Sequence, residues 1–248
     1  MALHTPIRLG RDPLERNATL MAIKEHKINR AMALMDERSR AMDLTRPFAT
    51  RDAFFSASGD HCFSFFDITP LPGVHSVAQV LQVMQFVVKN MEFVISEKLG
   101  WTTMREDEND DPDNAAYLHA RMVASVGVGI DQDVNVVAFT HYDAEQDVAI
   151  LVGDSVEEDA LYPYQPSCRI RRDVSPTMIV RKAVSAVDGK PVVVVQRIAF
   201  TKVHRPTVPG LLQGFEQVCN TSGPLTDMML SNLLELLRVA PTAHPPAT

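Results

Sequence analysis

The chain has 248 residues, 46 % hydrophobic and 22 % charged, the composition of a soluble globular protein with room for one large domain. Its net charge of −7 argues against non-specific nucleic-acid binding by the whole chain. The charge is uneven: residues 1–51 carry ten Lys/Arg against six Asp/Glu, and residues 52–248 carry fourteen against twenty-five, so a basic segment precedes an acidic body.

Residues 14–44 contain no Pro or Gly and are rich in Ala, Met, Glu, Lys and Arg, which predicts a helix. Met21, Ile28, Met35 and Met42 recur every seven residues, but Lys24, Ala31 and Arg38 hold the second heptad position, so no coiled-coil seam is complete. This helix is expected either to pack on the domain or to dimerise or bind a partner. Arg46-Pro47 ends it, because the residue before proline avoids helical geometry. Aromatic residues then mark a strand over 63–68, paired with 53–57, and Pro70-Leu-Pro-Gly73 reads as a turn.

Ser76 and Gln79 form a capping box that opens a helix over 76–98, with Val77, Val80, Leu81, Met84, Val87, Val88, Met91, Val94 and Ile95 on one wide face and Gly100 as the stop. Residues 105–114 hold six acidic side chains. Asp107, Asn109 and Asp111 have calcium-loop spacing, but Pro112 and Leu118 stand where that loop needs glycine and glutamate, so a solvated loop is expected. Strict alternation from Tyr117 to Ile130 predicts one long strand, bent at Gly127 and Gly129. Further strands are expected over 134–142, 147–156, 167–174, 178–184 and 191–204, joined by short connections that favour antiparallel neighbours. A helical piece over 207–219, a break at Gly223-Pro224 and a second helix with Leu225, Met228, Met229, Leu233, Leu236 and Leu237 on its apolar face close the chain. Residues 241–248 are expected to be a disordered tail.

No nucleophile elbow, phosphate loop or zinc motif is present, and Cys62, Cys168 and Cys219 have neither metal-ligand spacing nor a disulfide framework. No cofactor is implied. The start has no signal-peptide core, and no apolar run is long enough to span a bilayer, which predicts a cytoplasmic protein. Candidate ligand-orienting groups are His119, Arg121, His141, Arg181 and Arg197, each on a predicted strand. If one faces inward it is buried, needs a partner, and would orient the polar end of an apolar ligand. Met84, Met91, Met122, Met228 and Met229 are the candidate flexible lining of such a pocket. Arg169, Arg171 and Arg172 with Asp173 are expected to form an exposed, ion-paired edge.

The order strand, capped helix, antiparallel strands, C-terminal helix over residues 53–238 resembles the START-like, or helix-grip, superfamily. The resemblance rests on the 63–68 strand, the 76–98 helix, the bent 117–130 strand, the 190–205 strand and the 224–239 helix. It implies an α+β fold: a U-shaped antiparallel sheet around the C-terminal helix, enclosing a cavity for a lipid or other apolar molecule. The split at Gly223-Pro224 departs from that pattern, and none of the superfamily's charged cavity residues maps onto this sequence. The expected organisation is a helical extension (1–50), a helix-grip domain (51–240) and a tail. The expected function is non-catalytic binding or transfer of an apolar ligand. The alternatives are a regulatory or scaffolding module acting through residues 14–44, and an enzyme using His119 or His141.

Overall fold

The structure is a computed structural model and describes residues 4–107, 116–126, 129–185, 187 and 189–238. The elements run β1 (Arg8–Leu9), α1 (Pro13–Ser39), β2 (Phe48–Phe55), β3 (His61–Leu71), α2 (Val77–Lys89), α3 (Met91–Leu99), β4 (Thr102–Asp107), β5 (Leu118–Ser125) and β6 (Asp131–Asp143). They continue with β7 (Val148–Ser155), β8 (Glu158–Asp159), β9 (Arg169–Val184), β10 (Pro191–Val203), a short 3-10 turn, α4 (Leu212–Asn220) and α5 (Ser222–Leu236).

Eight strands make one sheet in the order β2-β3-β10-β9-β7-β6-β5-β4, each neighbour antiparallel. The α2–α3 segment crosses from β3 to the far edge strand β4, and the C-terminal helices return over the same face. This is the α+β helix-grip fold, a curved antiparallel sheet closed on its concave side by helices. Where β7 ends, β6 and β9 meet directly in a short parallel contact, Asp131–Asp133 beside Arg169–Arg171. Gly153 suits that divergence, since a Cβ there would meet Pro176 Cγ and the Val137 carbonyl oxygen, each at 3.1 Å.

Both faces of the sheet are covered. Val193, Val195, Leu151, Met178 and Val180 pack toward α2 and α5, whereas Val194, Val137, Phe139, Ile150 and Ile179 pack toward α1. That is the period-two alternation of a strand applied to two apolar layers instead of one. The N-terminal helix is therefore part of the sandwich. Asp12 caps it, accepting the Glu15 N–H at 2.9 Å, and Pro13 sits in the first turn, where its missing N–H is no loss. Its buried stripe is Arg16, Leu20, Lys27, Ala31, Met35 and Ser39. The expected seven-residue stripe is thus rotated: Met21 is exposed and Met35 buried. Two long cations lie in the buried face because Asp159 and Asp154 of the sheet side receive them.

Several boundaries differ from the sequence-based expectation for local reasons. α1 stops at Ser39 rather than 44, because the Asp43 carboxylate takes the Thr45 N–H at 3.0 Å, a local bond that competes with helix. The 76–98 helix is two helices, broken at Asn90, whose side-chain amide donates to the Phe86 carbonyl at 2.8 Å. Ser76 caps the first as expected, accepting from the Gln79 N–H at 3.1 Å. Residues 117–130 are not one strand: the Val126 N–H donates to the Ile130 carbonyl at 3.0 Å and Ser125 pairs with Asp131, closing a hairpin into β6. β9 is continuous through Pro176, and β3 through Pro70. The C-terminal break falls at Thr221, so that Gly223-Pro224 lies in the first turn of α5. The 241–248 tail and most of the acidic 105–114 segment lie outside the described residues.

Candidate functional site

A cavity of about 190 Å³ lies between the concave face of the sheet and helices α3 and α5. Its walls are mostly apolar: Met91 and Ile95 from α3, Leu118, Ala120 and Met122 from β5, Val134 and Val136 from β6, and Leu225 and Met229 from α5. Alternation places these strand residues inward, and the helix periodicity of α3 and α5 brings theirs opposite.

Three arginines reach this cavity, each held differently. Arg197 donates through Nε to Asp67 Oδ1 at 3.0 Å and through Nη1 to the Thr226 carbonyl at 3.0 Å, so it ties β3 and β10 to α5. Its guanidinium also stands 5.2 Å from the centre of the Phe65 ring. Arg105 donates to the Val88 and Lys89 carbonyls, 3.0 and 2.8 Å away at the end of α2, and pairs with Glu92 at 3.2 Å. Arg172 of β9, 3 % exposed, donates to the Val218 carbonyl and to Thr221 Oγ1, the latter at 2.8 Å, at the α4–α5 junction. Burial pushes its guanidinium down to about 10, which leaves it protonated at neutral pH. Burial likewise pushes the neighbouring Cys219 thiol up to about 11. Gln132 Oε1, Arg172 Nε and Ser222 Oγ are buried and have no hydrogen-bond partner among the described residues.

Of the candidate site residues, Met91, Met122, Met229 and Arg197 line this cavity. Met84 and Met228 are buried in the adjoining apolar clusters. His119, Arg121, His141 and Arg181 do not face it, which corrects their expected role. His119 and Arg121 point to the opposite face, yet are buried there, because the N-terminal segment and the loop after β8 cover it. His119 Nε2 lies 2.7 Å from Asn135 Oδ1, Asn135 donates to Asp159 at 2.9 Å, and Arg16 donates to Asp159 at 2.8 Å. Arg121 pairs with Asp133 at 2.6 Å and stands over the Tyr162 ring. Arg181 pairs with Asp36 of α1 at 2.9 Å, and His141 is exposed on β6. An open polar cleft of about 670 Å³, bordered by Arg8, Asp133, Asp159, Tyr164 and Arg171, adjoins this outer network.

The sequence reading missed Arg172, Gln132 and Asp67. Arg172 stands in a run with Arg169 and Arg171 that reads, residue by residue, as an exposed edge. Its parity with Val174 and Met178 is the signal that separates it: Arg169 and Arg171 pair outward with Asp133 and Asp173, and Arg172 turns inward.

Among the described residues no helix is long and apolar enough to cross a membrane, and no group of three or more His, Cys, Asp or Glu is placed to hold a metal ion. No protein-family model and no curated protein matches the chain. It is similar to solved structures at low identity. Human STARD10 is 10 % identical, with 82 % of this chain and 79 % of that one covered and a TM-score of 0.45. The lipid transfer and protein localization domain of human StarD13 is 13 % identical, with 82 % and 95 % covered and a TM-score of 0.42. A Thalictrum norcoclaurine synthase point mutant is 12 % identical, with 78 % and 96 % covered and a TM-score of 0.36.

Proposed function

We propose that this chain binds an apolar small molecule, without catalysing its conversion, in the cavity between the sheet and α3/α5. The observation that carries the reading is a mostly apolar cavity of about 190 Å³ between the sheet and helices α3 and α5. A ligand that fills it recovers contacts its walls otherwise lack. Methionines 91, 122 and 229 suit such a wall, since unbranched thioethers re-pack around different shapes. The volume lies below the ~300–1,000 Å³ of drug-sized pockets, which favours a single short chain or small ring. His119 and His141, the acid–base candidates, both stand off the cavity, so the catalytic alternative has no group of theirs there.

Native mass spectrometry of the full chain, incubated with 1-decanol or decanoate, tests the proposal. A one-to-one adduct that is lost or strongly weakened in Met229→Trp, whose larger indole intrudes on the cavity, is the expected result. No adduct at any concentration, or an adduct unchanged by Met229→Trp, rejects it.

A further inference from the structure

We infer that the cavity selects a carboxylate-bearing amphiphile, whose head group sits against Arg172; the inference rests on the cavity being a ligand site. The argument is an inventory of charge around one void. Arg197 is neutralised by Asp67 and Arg105 by Glu92. Arg172, equally enclosed, has no carboxylate partner among the described residues, only the Val218 carbonyl and the Thr221 hydroxyl. The cavity wall therefore carries one uncompensated guanidinium.

Capping the end of α4 accounts for Nη2 of Arg172 but not for Nε, which points to nothing within reach. Two more orphaned polar atoms belong to the same end. Gln132 lies beside Arg172 because the β6–β9 contact pairs Gln132 with Ile170, two residues before Arg172 on the same face of β9. Ser222 follows Thr221, which Arg172 already holds. A buried donor without a partner is costly, and two of these atoms, the Arg172 Nε–H and the Ser222 hydroxyl at one end of the cavity, describe the missing partner; Gln132 Oε1, an acceptor, does not contribute to that description. That partner accepts hydrogen bonds from a guanidinium and a hydroxyl, carries negative charge, and ends in an apolar body fitting the Met- and Leu-lined remainder. A carboxylate on a short hydrocarbon chain has that chemistry.

The full chain is titrated calorimetrically with decanoate and with 1-decanol, which share a tail and differ in head group. Decanoate is expected to bind about 10-fold or more tighter, the scale of a charge-assisted hydrogen bond. Arg172→Gln is expected to bring the two affinities within about threefold of each other, chiefly by weakening decanoate. Should Arg172→Gln fail to fold, Ser222→Ala and the wild-type comparison of the two heads still decide the matter. Decanol binding as tightly as decanoate in the wild type overturns the inference while leaving the cavity reading intact. Neither ligand binding overturns both.

Discussion

Replacing Arg197 by methionine tests how the C-terminal helix is held against the sheet. Arg197 and Asp67 are 2 % and 4 % exposed, and Arg197 also donates to the Thr226 carbonyl of α5. Arg197→Met leaves Asp67 as a buried carboxylate without its counter-charge, which costs about 3–5 kcal/mol. For a chain of this size that lowers Tm by roughly 6–20 °C. The double variant Asp67→Leu/Arg197→Met removes both charges and is expected to recover most of the loss, because two well-packed apolar groups are a fair exchange for a buried pair. Urea unfolding followed by the fluorescence of Trp101 is the assay. Trp101 is the single tryptophan and packs against clusters contributed by both α4 and α5, so its emission reports the docking of those helices. A single variant within about 1 kcal/mol of wild type, or a double variant less stable than the single, would refute the reasoning.

Three further outcomes follow from the same geometry. A chain lacking residues 1–46 is expected to sediment as aggregates and to unfold without cooperativity, since removing Leu20, Ala31 and Met35 bares the apolar outer face of the sheet; a monomeric, cooperatively folding product would show that α1 is dispensable. Asp159 is desolvated by burial, which raises its pKa, but hydrogen bonds from Arg16, Asn135 and the Leu161 N–H with the Arg16 charge outweigh this and hold it below the ordinary 3.8. A depressed folded-state value contributes stability above pH 3.8 that is lost as pH falls through it, so acid unfolding of Asp159→Asn should depend less steeply on pH below 4 than that of wild type. Iodoacetamide at neutral pH should label the exposed Cys168 first, with Cys62 and Cys219 reacting only on denaturation, because burial raises both of their thiol pKa values. Peptide mass mapping distinguishes the orders.

Local chemistry made much of the fold legible in the sequence. Ser76-x-x-Gln79 announced α2, short polar connections announced the antiparallel strands, and Gly223-Pro224 announced a helix start within two residues of where α5 begins. What stayed hidden is tertiary. Alternation says that His119 and Arg121 share a face, but whether that face is wet, enclosed or buried under another layer depends on α1, more than eighty residues earlier. The same blindness rotated the stripe of α1. The burial of Lys27 and Arg16 follows from where the fold places Asp154 and Asp159, which no local pattern in α1 encodes. At the cavity, Met91 of α3, Met122 of β5 and Met229 of α5 stand in the wall, whereas Met84 and Met228 lie in the adjoining apolar clusters. Arg172 escaped notice because three neighbouring arginines look like one surface cluster unless strand parity is applied to each.

Methionine-methyl NMR of the full chain titrated with 1-decanol tests the central claim most directly. The account predicts ligand contacts and shift changes at Met91, Met122 and Met229, with none at Met21 or Met104, which are 42 % and 62 % exposed. Contacts confined to the exposed pair, or spread evenly over both sets, would contradict a site between the sheet and α5.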